Sequence, residues 1–88
     1  MNLTYKIAIP RDTVYILRCL GDRYYVGYTK YLHFRLVQHF GTKGAKFTRK
    51  YKPLSVLAWF DGDTKREHEV WRKFAKQFGS INVGGYTS

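Results

Sequence analysis

Two tyrosines, Tyr15 and Tyr25, lie in short runs whose residues favour β-structure, Val14-Tyr15-Ile16 and Tyr25-Val26-Gly27. A phenol with a pKa of about 10 is a poor base at neutral pH unless a nearby cation or a metal ion lowers that pKa. Tyrosine also favours the pleated, half-buried surface of a sheet. These residues by themselves are therefore compatible with simple packing as well as with catalysis.

Arg35 and His39 are one helical turn apart in the segment LHFRLVQH. A helix is predicted from Tyr31 to Phe40. Both residues lie beside the line of apolar side chains on this helix, so both side chains could lean over the rim of a sheet. A guanidinium group matches the geometry of a phosphate. Because most arginines are solvated surface charges, the spacing leaves a surface role open as well.

Four of the six acidic residues lie within nine positions, at Asp61, Asp63, Glu67 and Glu69. Such a concentration on a basic protein suggests metal binding. A helix is predicted over about Thr64 to Phe78. At about 100° per residue, Glu67 projects near the middle of its apolar face, whereas Glu69 points almost the opposite way. The segment 64–67 also has the pattern of a capping box, in which Glu67 would only close the start of the helix.

The chain carries 16 Lys and Arg against six Asp and Glu, a net charge of +10. This balance indicates a polyanionic partner, with nucleic acid first and an anionic membrane surface second. The segment KGAKFTRKYK could neutralise phosphates and stack on bases, although it could also be a solvated loop that only keeps the protein soluble. The predicted nucleic-acid contacts are Lys43, Lys46, Arg49, Lys50 and Lys52, with Phe47 and Tyr51 for stacking.

A length of 88 residues, 44% of them hydrophobic, suits one compact domain with a modest core over residues 1–88. The single cysteine, Cys19, excludes an intrachain disulfide and favours a reducing compartment such as the cytoplasm. The first residues lack the apolar core of a signal peptide, and no run approaches the roughly 20 apolar residues of a membrane span. We therefore expect a soluble, unprocessed cytoplasmic protein.

Periodicity predicts two strands followed by a helix in the first half of the chain. The runs TVYILRC and YYVGYT flank a turn signal at 20–23 and indicate a β-hairpin. From Tyr31 to Phe40 apolar residues recur at every fourth position, which predicts an amphipathic helix that Gly41 closes. The segment 41–53 is interpreted as a loop.

The second half of the chain predicts one more strand and one more helix. The apolar run LSVLAWF suits a buried strand. Val70, Trp71, Phe74 and Phe78 fall on one helical face, so an amphipathic helix is expected over about Thr64 to Phe78. The tail from residue 80 is left undecided. The expected fold class is α+β, with a small three-stranded, mainly antiparallel sheet flanked by helices in the order β-β-α-β-α.

Taken in order, these residues resemble the GIY-YIG nuclease superfamily over about Thr13 to Gly79. Thr13-Val14-Tyr15 stands where the family has its first tripeptide, and Tyr25-Val26-Gly27 stands where it has the second. The resemblance continues through Thr29, through LHFRLVQH and GAKFTRKYKP, and finishes at a glutamate on the last helix. The loop GAKFTRKYKP is similar to that of small, stand-alone members related to the catalytic domain of excision-repair endonucleases. Thr13 departs from the family's glycine.

The resemblance implies a divalent-metal-dependent endonuclease that uses one Mg²⁺ or Mn²⁺ ion. It implies that Tyr15 helps to activate water, that Tyr25 positions water or phosphate, and that Arg35 clamps the scissile phosphate. His39 would orient water or phosphate, and a glutamate would hold the metal. Glu67 is preferred to Glu69 because Val70, Trp71 and Phe74 follow it at the family's spacing.

A short chain without a separate DNA-binding domain is expected to have weak sequence preference. Single-stranded, flapped or branched DNA is therefore the expected substrate. The alternative is a non-catalytic nucleic-acid-binding module that retains the nuclease fold.

The active-site hypothesis makes a demand on the register of the hairpin. A two-residue turn at Gly21-Asp22 would place Tyr15 opposite Tyr28 and would put Tyr25 on the other face from Tyr15. We therefore predict a slip of one residue, through a three-residue loop at 21–23 or a β-bulge, so that the two tyrosines and Gly27 share one face.

Overall fold

The computed structural model describes residues 10 to 86 of the chain. Its strands are β1 (Thr13–Cys19), β2 (Arg23–Thr29), β3 (Pro53–Asp61) and β4 (Val83–Gly84), in the order β3-β1-β2-β4. Strand β1 is antiparallel to both of its neighbours, and β4 runs parallel to β2. The α+β class is confirmed, and the three-stranded prediction is corrected to a four-stranded mixed sheet because the undecided tail pairs with β2.

Three helices accompany the sheet: α1 (Leu32–Phe40), α2 (Lys46–Lys50) and α3 (Thr64–Phe78). The predicted first and last helices are confirmed, and Gly41 and Gly79 follow their ends. Helix α2 corrects the interpretation of segment 41–53 as a loop. Within residues 10 to 86, no helix is long and apolar enough to cross a membrane. The expectation about a signal peptide falls mainly on residues 1–9, outside the described part.

Strand β3 is an edge strand, so the prediction that its apolar run would be buried is wrong. Its register with β1 shifts twice, which leaves Leu54 and Leu57 without an opposite residue on β1. These two side chains are 52% and 49% exposed. Such irregularities are typical of sheet edges. The composition of the run could not reveal its place in the sheet, because that place depends on pairing between distant segments.

The two faces of the sheet carry separate clusters of side chains. One face presents Tyr15, Leu17 and Tyr25 and is covered by residues of α1 and α2. The other presents Val14, Ile16 and Val26, and α3 packs on it. We call the first the tyrosine face. Helices α1 and α2, rather than the longer α3, therefore enclose the two phenols.

The hairpin has the register that the active-site hypothesis requires. Tyr15 pairs with Gly27, and Leu17 pairs with Tyr25, so the two tyrosines lie on one face. Their ring centroids are 6.1 Å apart. The predicted slip of one residue is confirmed, although the loop is 20–22 rather than 21–23. Gly21 and Asp22 both adopt positive φ there, at 77° and 55°, and this backbone geometry sets the loop length.

Candidate active site

A buried chain of hydrogen bonds joins β1 to α1 and α2. The Tyr15 hydroxyl lies 2.7 Å from His39 Nε2, and His39 Nδ1 lies 2.8 Å from Thr48 Oγ1. Thr48 in turn donates to the carbonyl of Ala45 at 3.1 Å. Tyr15 and His39 are each only 1% exposed, and Thr48 is 3% exposed. His39 is thus the most enclosed residue of α1 and does not lie at an exposed rim of the sheet, a position that its place on the helix had allowed.

This series of hydrogen bonds determines which ring nitrogen of His39 carries the proton. Because the Thr48 hydroxyl proton is given to Ala45, Thr48 Oγ1 accepts from Nδ1–H of His39. Nε2 is then the acceptor, and the Tyr15 phenol donates to it. Burial and the charge of Arg35 lower the pKa of His39 to about 4, which agrees with a neutral ring at pH 7.

Arg35 is the cation whose charge acts on Tyr15, Tyr25 and His39. It is half-buried, and its Nη1 donates to Gln38 Oε1 at 2.8 Å. Burial raises the pKa of Tyr15, with a further increase from Tyr25, and Arg35 acts in the opposite direction. Burial also raises the pKa of Tyr25, and Arg35 again lowers it. The guanidinium thus favours the phenolate form of both tyrosines.

Gly27 makes room for the first tyrosine. A Cβ atom at residue 27 would lie 2.4 Å from Cζ and from the hydroxyl oxygen of Tyr15, far inside van der Waals contact. Any side chain at this position would push the phenol away from His39. The glycine of Tyr25-Val26-Gly27 is therefore required by close approach to Tyr15, since Gly27 is its cross-strand partner.

Glu67 lies in the first turn of α3, where its charge acts on both tyrosines. It is half-buried, burial raises its pKa, and its charge contributes to the raised pKa of both Tyr15 and Tyr25. Glu69 is exposed and lies 3.5 Å from Arg66 in an ion pair. Helix α3 packs on the sheet face opposite the phenols, with Glu67 half-buried in its first turn.

The predicted capping box at 64–67 is absent from α3. Its N-cap is Asp63, whose side chain accepts the backbone N–H of Arg66 at 3.1 Å. Thr64 is already the first residue of the helix. The Glu67 side chain is therefore not needed to close the helix start.

The acidic residues do not form a multidentate metal centre. Among residues 10 to 86, no group of three or more His, Cys, Asp or Glu side chains could hold a metal ion together. Asp61 instead pairs with Arg11, at 2.7 and 2.9 Å. A single carboxylate such as Glu67 still fits an ion like Mg²⁺, which commonly binds one or two carboxylates and keeps several waters.

The basic segment extends the tyrosine face outward. All five of its predicted phosphate contacts are exposed, and three of them lie on α2: Lys43, Lys46, Arg49, Lys50 and Lys52. Arg49 and Lys52 line a groove of about 410 Å³ together with Thr48. These two cations therefore lie close to Thr48, the outer end of the series of buried hydrogen bonds.

The two aromatic residues of this segment contribute to packing. Phe47 is half-buried against Tyr25, and a Cβ at Gly84 would lie 2.3 Å from its ring. Tyr51 is half-buried, with the Arg23 guanidinium 4.0 Å from its ring centroid. Each ring therefore offers less free surface to a base than our sequence prediction assumed.

Sequence reasoning missed two residues of the cluster, Thr48 and Gln38. Thr48 fixes the tautomer of His39, and Gln38 accepts a hydrogen bond from Arg35. Thr48 is the only buried residue of α2. A polar residue on the inward side of a short helix is a usable signal, but only after that helix has been recognised.

The burial of His39 predicts a specific pH dependence of stability. The folded pKa of about 4 lies below the value of about 6.5 expected for an unfolded chain. Only the unfolded state takes up this proton between those values, so stability falls as the pH is lowered from about 6.5 to about 4. Over this pH range, the free energy of unfolding measured in urea should fall by at most about 3 kcal/mol more for wild type than for His39→Gln.

A matched control for that experiment is His33→Gln, because His33 is exposed on the same helix. It should keep the pH dependence of wild type. Equal pH dependence of wild type and His39→Gln would contradict the buried, neutral state of His39.

Comparison with known proteins identifies the class to which this fold and site belong. The model of the GIY-YIG catalytic domain matches residues 12–78. The chain therefore belongs to the GIY-YIG family of nuclease domains. Nucleases of this family generally depend on a divalent metal.

Within the family, the chain is similar to UPF0213 proteins. It is 44% identical over 54 residues to one from Cupriavidus necator and 38% identical over 53 residues to YazA of Bacillus subtilis, matches that cover 61% and 60% of this chain. These matches span only 59% and 54% of the two relatives. A UPF0213 protein of Halalkalibacterium halodurans is 33% identical over 81 residues, covering 83% of this chain and 86% of the relative. No solved structure matches significantly.

Proposed function

We propose that this protein is a divalent-metal-dependent endonuclease that hydrolyses phosphodiester bonds in DNA. It has weak sequence specificity and prefers single-stranded, flapped or branched substrates. The observation that carries the proposal is the buried contact of 2.7 Å between Tyr15 and His39, with the charge of Arg35 acting on both tyrosines. A domain that only binds nucleic acid has no need of such an arrangement.

The proposed path of the proton starts at the attacking water. Tyr15 takes a proton from the water as its own phenolic proton moves to Nε2 of His39, the nitrogen that is free to accept it. His39 remains held through Nδ1–H by Thr48 during this transfer. Burial raises the pKa of the phenol, and the charge of Arg35 acts against that effect, so further positive charge at the site would favour the transfer.

Glu67 is the residue that would hold the metal ion. When bound, the ion supplies positive charge to the phosphate and to the leaving oxygen. In the free protein, Glu67 raises the pKa of both phenols. A cation that neutralises the charge of Glu67 would therefore make Tyr15 easier to deprotonate. The donor chemistry of a half-buried carboxylate fits a hard divalent ion.

Arg35 and the basic segment would hold the substrate. The guanidinium is suited to two oxygens of the scissile phosphate, whose negative charge increases as the phosphorus becomes pentacoordinate. The exposed lysines and arginines of segment 43–52 contact flanking phosphates. Such contacts position a strand without reading its sequence.

The test is a cleavage assay with Mg²⁺ or Mn²⁺ on single-stranded, duplex and flapped DNA labelled at one end. Wild type is expected to cut the single-stranded and flapped substrates faster than the duplex, and EDTA should stop the reaction. Tyr15→Phe should bind the same substrates with unchanged affinity but should not cut them. A wild-type protein that binds every substrate and cuts none would refute the proposal.

A further inference from the structure

A second groove, of about 470 Å³, lies between the end of β3, the start of α1 and the segment before β1. Its lining includes two aromatic residues that are unusually accessible: Trp59 is 62% exposed and Tyr31 is 43% exposed. An indole this exposed gains little from packing. We call this feature the Trp59 groove.

The Trp59 groove opens on the tyrosine face. Trp59 is the antiparallel partner of Tyr15 on the neighbouring strand, so the two side chains point to the same side of the sheet. Thr13, which also lines the groove, is two residues from Tyr15 on β1. That spacing is roughly 7 Å along the strand. A ligand in the groove would therefore lie directly beside the proposed site of hydrolysis.

The charge of the groove suits a phosphate-bearing ligand. Its one acidic residue, Asp61, is paired with Arg11 through two hydrogen bonds of 2.7 and 2.9 Å. Lys30 therefore leaves the groove with net positive charge, and His33 lies on its lining as well. Aromatic rings flanked by cations are the usual means of binding a single strand.

We infer that the Trp59 groove holds an unpaired base of the DNA strand, stacked on Trp59, next to the phosphate that is cut. This inference rests on the proposed function and specifies its substrate. A base inside a duplex has both faces covered by its neighbours, so an internal base must be unpaired before it can stack on the indole. The groove thus gives a physical reason for a preference for single strands, which Phe47 and Tyr51 in their packed positions do not supply.

The first test uses the fluorescence of Trp59. The protein has two tryptophans, and the other, Trp71, is half-buried and donates its indole N–H to the carbonyl of Val83 at 3.1 Å. In Trp71→Phe, the emission comes from Trp59 alone. A thymidine oligonucleotide added in EDTA should quench it strongly, whereas a blunt duplex of the same length should not. Equal quenching by both, or by neither, would overturn the inference.

The second test separates stacking from general apolar contact, by fluorescence polarisation with labelled DNA in EDTA. Trp59→Leu should weaken binding of the single strand by about 5- to 150-fold, and Trp59→Tyr should restore most of it. Binding of the duplex should change less than about 2-fold. Leu54→Ala, a change of an exposed residue on the same strand, is the matched control and should bind like wild type. Wild-type affinity of Trp59→Leu would refute the stacking role.

These readouts do not depend on cleavage, so the two hypotheses can fail separately. A wild type that binds single strands through Trp59 but cuts nothing would refute the nuclease and leave the groove supported. A wild type that cuts DNA, with Trp59→Leu cutting and binding single strands equally well, would refute the groove alone.

Discussion

Replacing Arg35 with alanine is expected to reduce the rate of DNA cleavage by about 10³-fold. The change removes the cation suited to the phosphate oxygens, and it also removes the charge that lowers the pKa of Tyr15 and of Tyr25. Both losses act on the transition state, so the effect should be on kcat more than on KM. Because Arg35 is only half-buried, the melting temperature should change little. Single-turnover kinetics and thermal unfolding measure the two quantities.

The control for this prediction is Arg72→Ala, which removes an exposed arginine from α3 on the other side of the sheet. It should cleave within about 3-fold of wild type. Arg35→Lys separates charge from shape, because lysine keeps the charge and loses the planar fork. It should recover only part of the activity. An Arg35→Ala variant as active as Arg72→Ala would show that this guanidinium does not take part in the reaction.

Glu67→Gln is expected to abolish metal-dependent cleavage, a loss of about 10²-fold or more, without destabilising the protein. Burial raises the pKa of the Glu67 carboxyl, which means that its charged form is poorly solvated. A neutral amide of the same shape avoids that cost, so the melting temperature should stay the same or rise. Loss of activity together with retained stability is the signature of a residue kept for function. Mg²⁺ titration of the cleavage rate and thermal unfolding provide the two readouts.

Glu69→Gln is the matched control, because Glu69 is exposed and two residues away on the same helix. Its contact with Arg66, at 3.5 Å, is a surface ion pair of small energetic value. This variant should keep the activity and the metal requirement of wild type. Loss of cleavage in Glu69→Gln, but not in Glu67→Gln, would transfer the metal-binding role to Glu69.

The elements that could be predicted from local sequence patterns are those whose signals lie within a few residues of one another. Helix α3 was expected over Thr64 to Phe78 and occupies that range, because four apolar residues share one helical face. The hairpin followed from a turn signal between two β-favouring runs. Its register was predicted from function, since Tyr15 and Tyr25 could serve one site only if they shared a face.

The predictions that failed concerned long-range order. Strand β3 was expected in the interior, yet the sheet ends with it. The pairing of β4 with β2 joins segments almost 60 residues apart, Tyr24 with Val83. Helix α2 has only five residues, a length at which packing rather than intrinsic propensity decides whether a helix forms. None of these features leaves a periodic signal in the chain.

The sequence by itself determined the chemical groups of the candidate site and their order along the chain: two tyrosines, an arginine, a histidine and a glutamate on elements with clear periodicity. Only the tertiary structure decided what each group does to the others. Burial made His39 a neutral acceptor, Thr48 selected its tautomer, and the position of Glu67 in the first turn of α3 let its charge act on both phenols. The reason is that pKa values and hydrogen-bond directions depend on solvent exclusion and on distances between side chains, which the fold alone establishes.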